Sequence, residues 1–274
     1  MRNIRPANPG VGRNDLGFAM GVEIIDRLLH LPLIVFAASI VLLFAATYGG
    51  YLLRPRGHSE ADRSADLDTA HGAALTLLAL VIGFTFSLAA GRYDQRKNYE
   101  EAEANAIGTE YSRASLLPSM DAATVQQLLR TYLSKRIAFY EATDESRLKQ
   151  IAAETSLLQA KLWSAVSGPA SARPNPVTML AVSGMNDVIN SEGYTNAAWL
   201  YRVPPAAWVL MEAIAVICAV LFGYRFRRDP RAVLFIFPAI AAFSFFVVSD
   251  IDNPRRGVIR VVPENLILTL NALR

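Results

Sequence analysis

Gly72, Thr76, Ala79, Gly83, Ser87 and Ala90 follow one another at steps of three or four, so on a helix they share one face. They lie in an uncharged stretch, GAALTLLALVIGFTFSLAAG, long enough to cross a bilayer. A small, hydroxylated face inside a membrane either lets helices pack closely or lines a water-filled path, and packing is the commoner use. Without a proline to break it, the same helix is predicted to run on into Arg92, Tyr93, Asp94, Gln95, Arg96 and Lys97. Around an axis of assembled copies, Arg92, Asp94 and Arg96 would form a charged ring at a pore mouth; in a lone chain they would be a solvated helix face.

Glu212 is the second residue with chemistry to offer. It stands near the middle of an apolar segment, where a carboxylate costs at least ~2.5–3.5 kcal/mol on insertion scales. It must therefore face water or other helices, or stay protonated. The functional reading is ion coordination, proton transfer or a gate. The structural one is a protonated acid bonded to a hydroxyl such as Thr76 or Thr85. A third group, Asp250, Asp252, Arg255 and Arg256 around Asn253-Pro254, sits where an apolar segment ends. There it can stop a helix and form a local ion-pair network. Two carboxylates do not make a coordination sphere, and no Cys/His cluster suggests a metal or cofactor. His30 and His71 read as interfacial residues. The lone Cys218 excludes an intrachain disulfide. No GxSxG, Walker loop, HExxH or GxGxxG occurs, so the chain is not expected to be an enzyme.

The elements that must position these residues follow from composition. The chain has 274 residues, 53% of them hydrophobic, a net charge of +3 and a mean hydropathy of +0.26. The excess is concentrated in four blocks, and no basic run suggests nucleic acid. Leu31–Leu53 has 23 residues without a charge and Gly72–Gly91 has 20; about 20 helical residues cross a ~30 Å hydrocarbon core. Val203–Tyr224 and Ala232–Ser249 give the third and fourth spans, the latter with Pro238 as an expected kink. The predicted class is all-α: four transmembrane helices with a long helical extramembrane segment between the second and third. The division is 1–30 outside the bilayer, 31–91 for the first two spans, 92–202 outside, 203–249 for the last two and 250–274 as a tail. The multi-pass chain is expected in the cell (inner) membrane, its orientation left open because arginines nearly balance across the two sides.

The 92–202 segment carries 12 basic and 12 acidic residues in a helical period. One helix should end before Pro118. The next, capped by Ser119 or Asp121, should bury Val125, Leu128, Leu129, Tyr132, Leu133, Ile137 and Tyr140. Another, capped by Asp144, should run through Ile151, Leu157, Leu158, Leu162 and Trp163 to about Ser167. Gly168–Pro176 reads as a break, followed by a helix over 177–200. Gly257–Val262 is the one candidate for extended structure, before a short helix starting near Pro263.

The run GFTFSLAAGRYDQRKNYEEAEANAIGTEYSRASLLP (Gly83–Pro118), with SDIDNPRRG (Ser249–Gly257) far downstream, resembles the bestrophin-like family of bacterial membrane proteins. More distantly it resembles the bestrophin anion channels, pentamers whose second helix lines the pore and whose cytosolic region extends it. That likeness implies a homo-oligomer in the bilayer conducting inorganic anions. Its pore lining would be Thr76, Gly83 and Ser87, with Phe84 and Phe86 as apolar constrictions. Of the bestrophins' sequence beyond the second helix, only Arg92-Tyr93-Asp94-Gln95-Arg96 is recognisable here. The rival expectation is a non-conducting scaffold or sensor whose helical segment binds a partner. A proton-coupled transporter using Glu212 is the third.

Overall fold

The computed structural model describes residues 31–53, 61–225 and 235–273, with side chains on 61–66 excepted. The expectations for 1–30, His30 and the two loops at 54–60 and 226–234 lie outside the described residues. Among those described there is no strand, as the all-α reading requires. The helices are α1 (Pro32–Leu52), α2 (Ala61–Arg113), α3 (Ser119–Glu141), α4 (Glu145–Ala172), α5 (Pro176–Leu200), α6 (Pro205–Arg225), α7 (Ile236–Asp252) and α8 (Glu264–Ala272). Among the described residues, three stretches are long and apolar enough to cross a membrane: Pro32–Leu52, one within Leu67–Leu116, and one within Pro176–Arg225. The expected fourth span corresponds to α7, of which 17 residues are described.

The chain divides into two compact units, one formed by the residues up to Thr85 with Pro204–Asp250, the other by Phe86–Val203 with Ile251–Arg274. In the first, α1 buries Pro32, Val35, Ser39, Leu43, Thr47 and Gly50 at steps of three and four. Opposite them α6 buries Trp208, Met211, Ile214, Ala215, Cys218, Ala219 and Gly223. With no hydrophobic drive between helices in lipid, such a pair depends on close backbone approach at small residues. A Cβ added to Gly50 would sit 2.1 Å from the Val220 carbonyl oxygen, and one on Gly223 1.9 Å from that of Thr47. Two glycines therefore set the separation. Phe44 stacks on Phe235 with centroids 4.2 Å apart, joining the start of α7 to α1. Pro238 falls in the first turn of the described helix, where its missing N–H is no loss, rather than kinking the interior.

The second unit has its own core, built from Ile107, Val125, Leu129, Tyr132, Leu133, Leu162, Val166, Ala181, Met185, Val188 and Leu266. The long helix ends in a 3₁₀ turn at Ala114–Leu116, before Pro118. The α3 face matches expectation, with Leu128 and Ile137 only partly buried. Its cap does not: Pro118 occupies the N-cap and Ser119 is already helical, so neither Ser119 nor Asp121 caps it. Asp144 does cap α4, its carboxylate accepting from the Arg147 N–H at 3.0 Å. On α4 Leu157 and Trp163 face out, at 65% and 41% exposure. The expected break at Gly168 is absent. The helix runs through Gly168 and Pro169 to Ala172 because Val166 and Ala170 are buried, and that burial outweighs the one hydrogen bond a proline removes. The interruption shrinks to residues 173–175, where Asn175 accepts from the Val177 and Thr178 N–H groups at 2.8 and 2.9 Å. Residues 257–259 form bends and 260–262 have no regular structure; among the described residues no strand is present for them to pair with.

The glycine contacts give a direct test. Gly50→Val and Gly223→Val should each separate α1 from α6 and lower the yield of monodisperse protein on size-exclusion chromatography severely. Gly83→Ala should leave it unchanged, because no atom lies within 4 Å of the added methyl.

Candidate functional site

The α2 helix has two faces. His71, Leu78, Thr85, Ala89, Arg96 and Glu100 are buried. Gly72, Thr76, Ala79, Gly83 and Ser87 are exposed, and Ala90 is half-buried. Added Cβ atoms at Gly72, Gly83 and Gly91 would meet nothing within 4 Å. Among the described residues, nothing packs closely on the glycines of this small, hydroxylated strip. Thr76 donates to the Gly72 carbonyl at 2.9 Å, leaving its lone pairs outward. Phe84 and Phe86 are 62% and 44% exposed. At about 100° per residue they flank the strip, roughly 80° to either side of its centre at Thr76. They border it rather than sit in its middle.

The charges expected at a mouth separate in the structure. Asp94 is exposed and continues the strip, followed by Asn98, Glu101 and Asn105, all exposed. Arg92 is half-buried, with a buried Nη1 that has no hydrogen-bond partner. Arg96 is 1% exposed and turned to the opposite side, so it does not belong to a solvated ring. Its Nε donates to the Ala198 carbonyl at 3.2 Å, and its Nη2 to those of Tyr201 at 3.1 Å and Asp252 at 3.3 Å. A longer bond runs from Nη1 to the Ile251 carbonyl at 3.5 Å. One guanidinium thus closes the carboxyl ends of α5 and α7, where unpaired carbonyls and the helix dipole favour a cation. Burial, then the nearby Arg202, lower its pKa to about 10, which leaves it charged at neutral pH.

The exit motif belongs to the same construction. The Asp252 carboxylate accepts from the Val203 N–H at 3.0 Å, and its carbonyl accepts from Arg202 at 2.8 Å. The Asn253 side-chain oxygen accepts from the N–H groups of Arg255 and Arg256, both at 3.1 Å. Arg255 reaches the carbonyls of Phe139 and Ala142 at the end of α3, both at 2.9 Å. Its guanidinium also lies 4.3 Å from the Trp199 ring centroid and 4.6 Å from that of Phe139. Desolvation lowers its pKa to about 10. Of this motif, Asp252 and Arg255 make long-range bonds to backbone groups of other elements. Asp250 is buried in the first unit.

Glu212 is half-buried, and its Oε2 accepts from the Ser39 hydroxyl at 3.2 Å while Oε1 has no hydrogen-bond partner among the described residues. The hydroxyl is therefore on α1 and is neither Thr76 nor Thr85, each of which bonds its own helix. His71, read as interfacial, is buried beside Arg225, whose Nη1 lies 2.8 Å from its Nδ1 and whose Nη2 pairs with Asp68 at 2.7 Å.

Two groups escaped the sequence reading. Glu103 is fully buried and takes Arg136 as an ion pair, the Thr195 hydroxyl at 3.0 Å and the Tyr140 phenol at 3.4 Å. Desolvation and Glu103 push the phenols of Tyr132 and Tyr140 well above the usual range. Glu110 is also fully buried, without a hydrogen-bond partner among the described residues. The signal was there in the spacing: Ala89, Arg96, Glu103 and Glu110 are seven apart, a row continuing the buried face of the apolar half.

The chain belongs to the Bestrophin-like domain family, whose pattern matches residues 41–266. No curated protein matches it. Among solved structures it is similar to a bacterial bestrophin homologue from Klebsiella pneumoniae, with 12% identity and a TM-score of 0.60 over 88% of this chain and 95% of that one. A form of that homologue with a tryptophan replaced by alanine gives 13% identity and a TM-score of 0.59 over 87% and 93%. A membrane protein with a glycine replaced by alanine gives 13% identity and a TM-score of 0.61 over 88% and 95%. The helical fold is shared along nearly the whole chain.

Arg96→Ala removes the arginine's donors from the carbonyls of Ala198 and Tyr201, at about 1–3 kcal/mol for each one left unsatisfied, and leaves that of Asp252 to Arg202 alone. Thermal unfolding in detergent should show a large fall in Tm. Arg96→Lys should recover only part of it, because one ammonium cannot span carbonyls on two helices.

Proposed function

We propose that the chain is an oligomeric ion channel of the cell (inner) membrane, with the exposed strip of α2 lining the path. The observation that carries this reading is the strip's openness: Gly72, Thr76, Ala79, Gly83 and Ser87 lie inside an apolar stretch long enough to span a membrane, yet are exposed among the described residues, with nothing within 4 Å of a Cβ added at either glycine. Packing within the chain, the commoner use of such residues, does not account for them. They are left for water or for another copy, and copies arranged around an axis use them for both. The resemblance to bestrophins points the same way.

The strip also bears on selectivity. Beyond the apolar stretch it is continued by Asp94, Asn98, Glu101 and Asn105, with Arg96 withdrawn from it. The bestrophin likeness favours anions, while these two acids oppose them.

A second reading is a non-conducting scaffold or sensor. Val177, Met179 and Leu180 favour it, because these large apolar side chains at the start of α5 are 49%, 52% and 49% exposed. An obligate monomer or dimer in mild detergent would support it over the channel.

Flux from liposomes containing the purified chain, measured for chloride and potassium against empty vesicles, is the deciding experiment. Protein-dependent flux is expected, with Gly83→Leu and Ser87→Trp each reducing it at least tenfold while the protein stays folded. Unchanged flux in both variants would remove α2 from the path, and no flux from folded oligomer would favour the scaffold. Asp94→Asn with Glu101→Gln should shift the chloride-to-potassium ratio several-fold toward chloride, whatever its starting value.

A further inference from the structure

Glu110 sits on α2 facing Gly184 of α5. Its side chain is fully buried, and among the described residues neither carboxylate oxygen has a hydrogen-bond partner. Both side chains end against the bare backbone of Gly184: a Cβ there would lie 2.1 Å from Glu110 Oε2 and 2.7 Å from Arg113 Nη1, so either would have to move aside for one. Glu110 and Arg113 therefore reach the same point on α5 without bonding each other. Arg113 is instead directed at Asp187, with 3.9 Å between Nη1 and Oδ2, and the Asp187 side chain is 62% exposed. A long, exposed pair of this kind contributes little. The charged groups acting on Glu110 are Arg113 from its own helix and Asp187 from α5. Beside them lies a cleft of about 200 Å³ lined by Asn105, Ala106, Thr109, Arg113, Gly184 and Asp187, which brings solvent to Arg113 and Asp187.

We infer that Glu110 is a proton-controlled clasp between α2 and α5, which when ionised takes Arg113 away from Asp187 and when protonated returns it. A buried carboxylate with no donor is costly, whereas the neutral acid in the same place is tolerated. Once charged, its nearest cation is Arg113, three residues on along the same helix and within reach of a rotamer change. Burial raises the Glu110 pKa to about 8, with Arg113 pulling it down and Asp187 pushing it up, so the exchange falls in an accessible range. The linkage sign follows. The folded state holds this proton more tightly than the unfolded chain, so its contribution to stability declines as pH rises from the ordinary carboxyl range to about 8, and is level above that. This clasp is independent of whether the chain conducts.

The test is infrared titration of the full chain in detergent, following the carbonyl stretch of a protonated carboxylic acid between about pH 6 and 9.5. A band that disappears with a midpoint near 8 and is missing in Glu110→Gln is expected. Asp187→Asn should lower the midpoint by about one unit and Arg113→Ala should raise it by a similar amount. Thermal unfolding should show wild type losing Tm relative to Glu110→Gln as pH rises to about 8. The absence of a titrating band, or a midpoint indifferent to both neighbours, would overturn the inference. Should Glu110→Gln fail to fold, the exposed Asp187→Asn variant carries the test alone.

Discussion

The carboxyl ends of α3, α5 and α7 present backbone carbonyls that a helix cannot satisfy from within, and two arginines supply the missing donors. Arg96 serves α5 and α7, while Arg255 serves α3 and lies against Phe139 and Trp199. Each is a cation placed where helix dipoles leave negative potential. The rest of the second unit depends on this arrangement, because it fixes the rotation of α2 about its own axis. With Arg96 held inward, the residues half a turn away must face outward, and these are Ser87 and the polar continuation of the strip.

The same helix solves two different problems along its length. In its apolar half the buried face is Leu78, Thr85 and Ala89, and the free face is small and hydroxylated. In its charged half the buried face carries Arg96, Glu100, Glu103 and Glu110. Three of these are fully engaged: Arg96 with carbonyls, Glu103 with Arg136, and Glu100 with the Leu266 N–H at 2.9 Å and the Asn265 amide at 2.7 Å. A buried ion pair of the Glu103–Arg136 kind adds little net stability over apolar packing but is very sensitive to loss of either partner. It therefore selects one arrangement of α2, α3 and α5 over others of similar apolar burial.

Much of this was legible in the residues. Uncharged blocks identified the apolar helices because charges are so costly in lipid. Pro118, Asp144 and Pro176 marked helix ends through backbone chemistry that needs no tertiary context. What could not be read was the fate of charges outside the bilayer. Arg96 between Gln95 and Lys97 looks like part of a solvated face, and only its register with Ala89 and Glu103 betrays burial. Gly168-Pro169 read as a break because local propensity argues for one, and the burial of Val166 and Ala170 overrode it. The tight approach at Gly50 and Gly223 was missed because a glycine in an apolar run gives no sign of which neighbour it will meet.

The spacing of the α2 strip has a geometric consequence. Thr76 and Gly83 are seven residues apart, as are Ser87, Asp94 and Glu101. On a straight helix a seven-residue repeat drifts by ~20° with each step. The four-residue step from Gly83 to Ser87 turns the line back by about 40°, so Thr76, Gly83, Ser87, Asp94 and Glu101 stay within about 20° of one line. The α2 helix can therefore hold this face to one side over about seven turns while remaining straight, and its register asks for no supercoil.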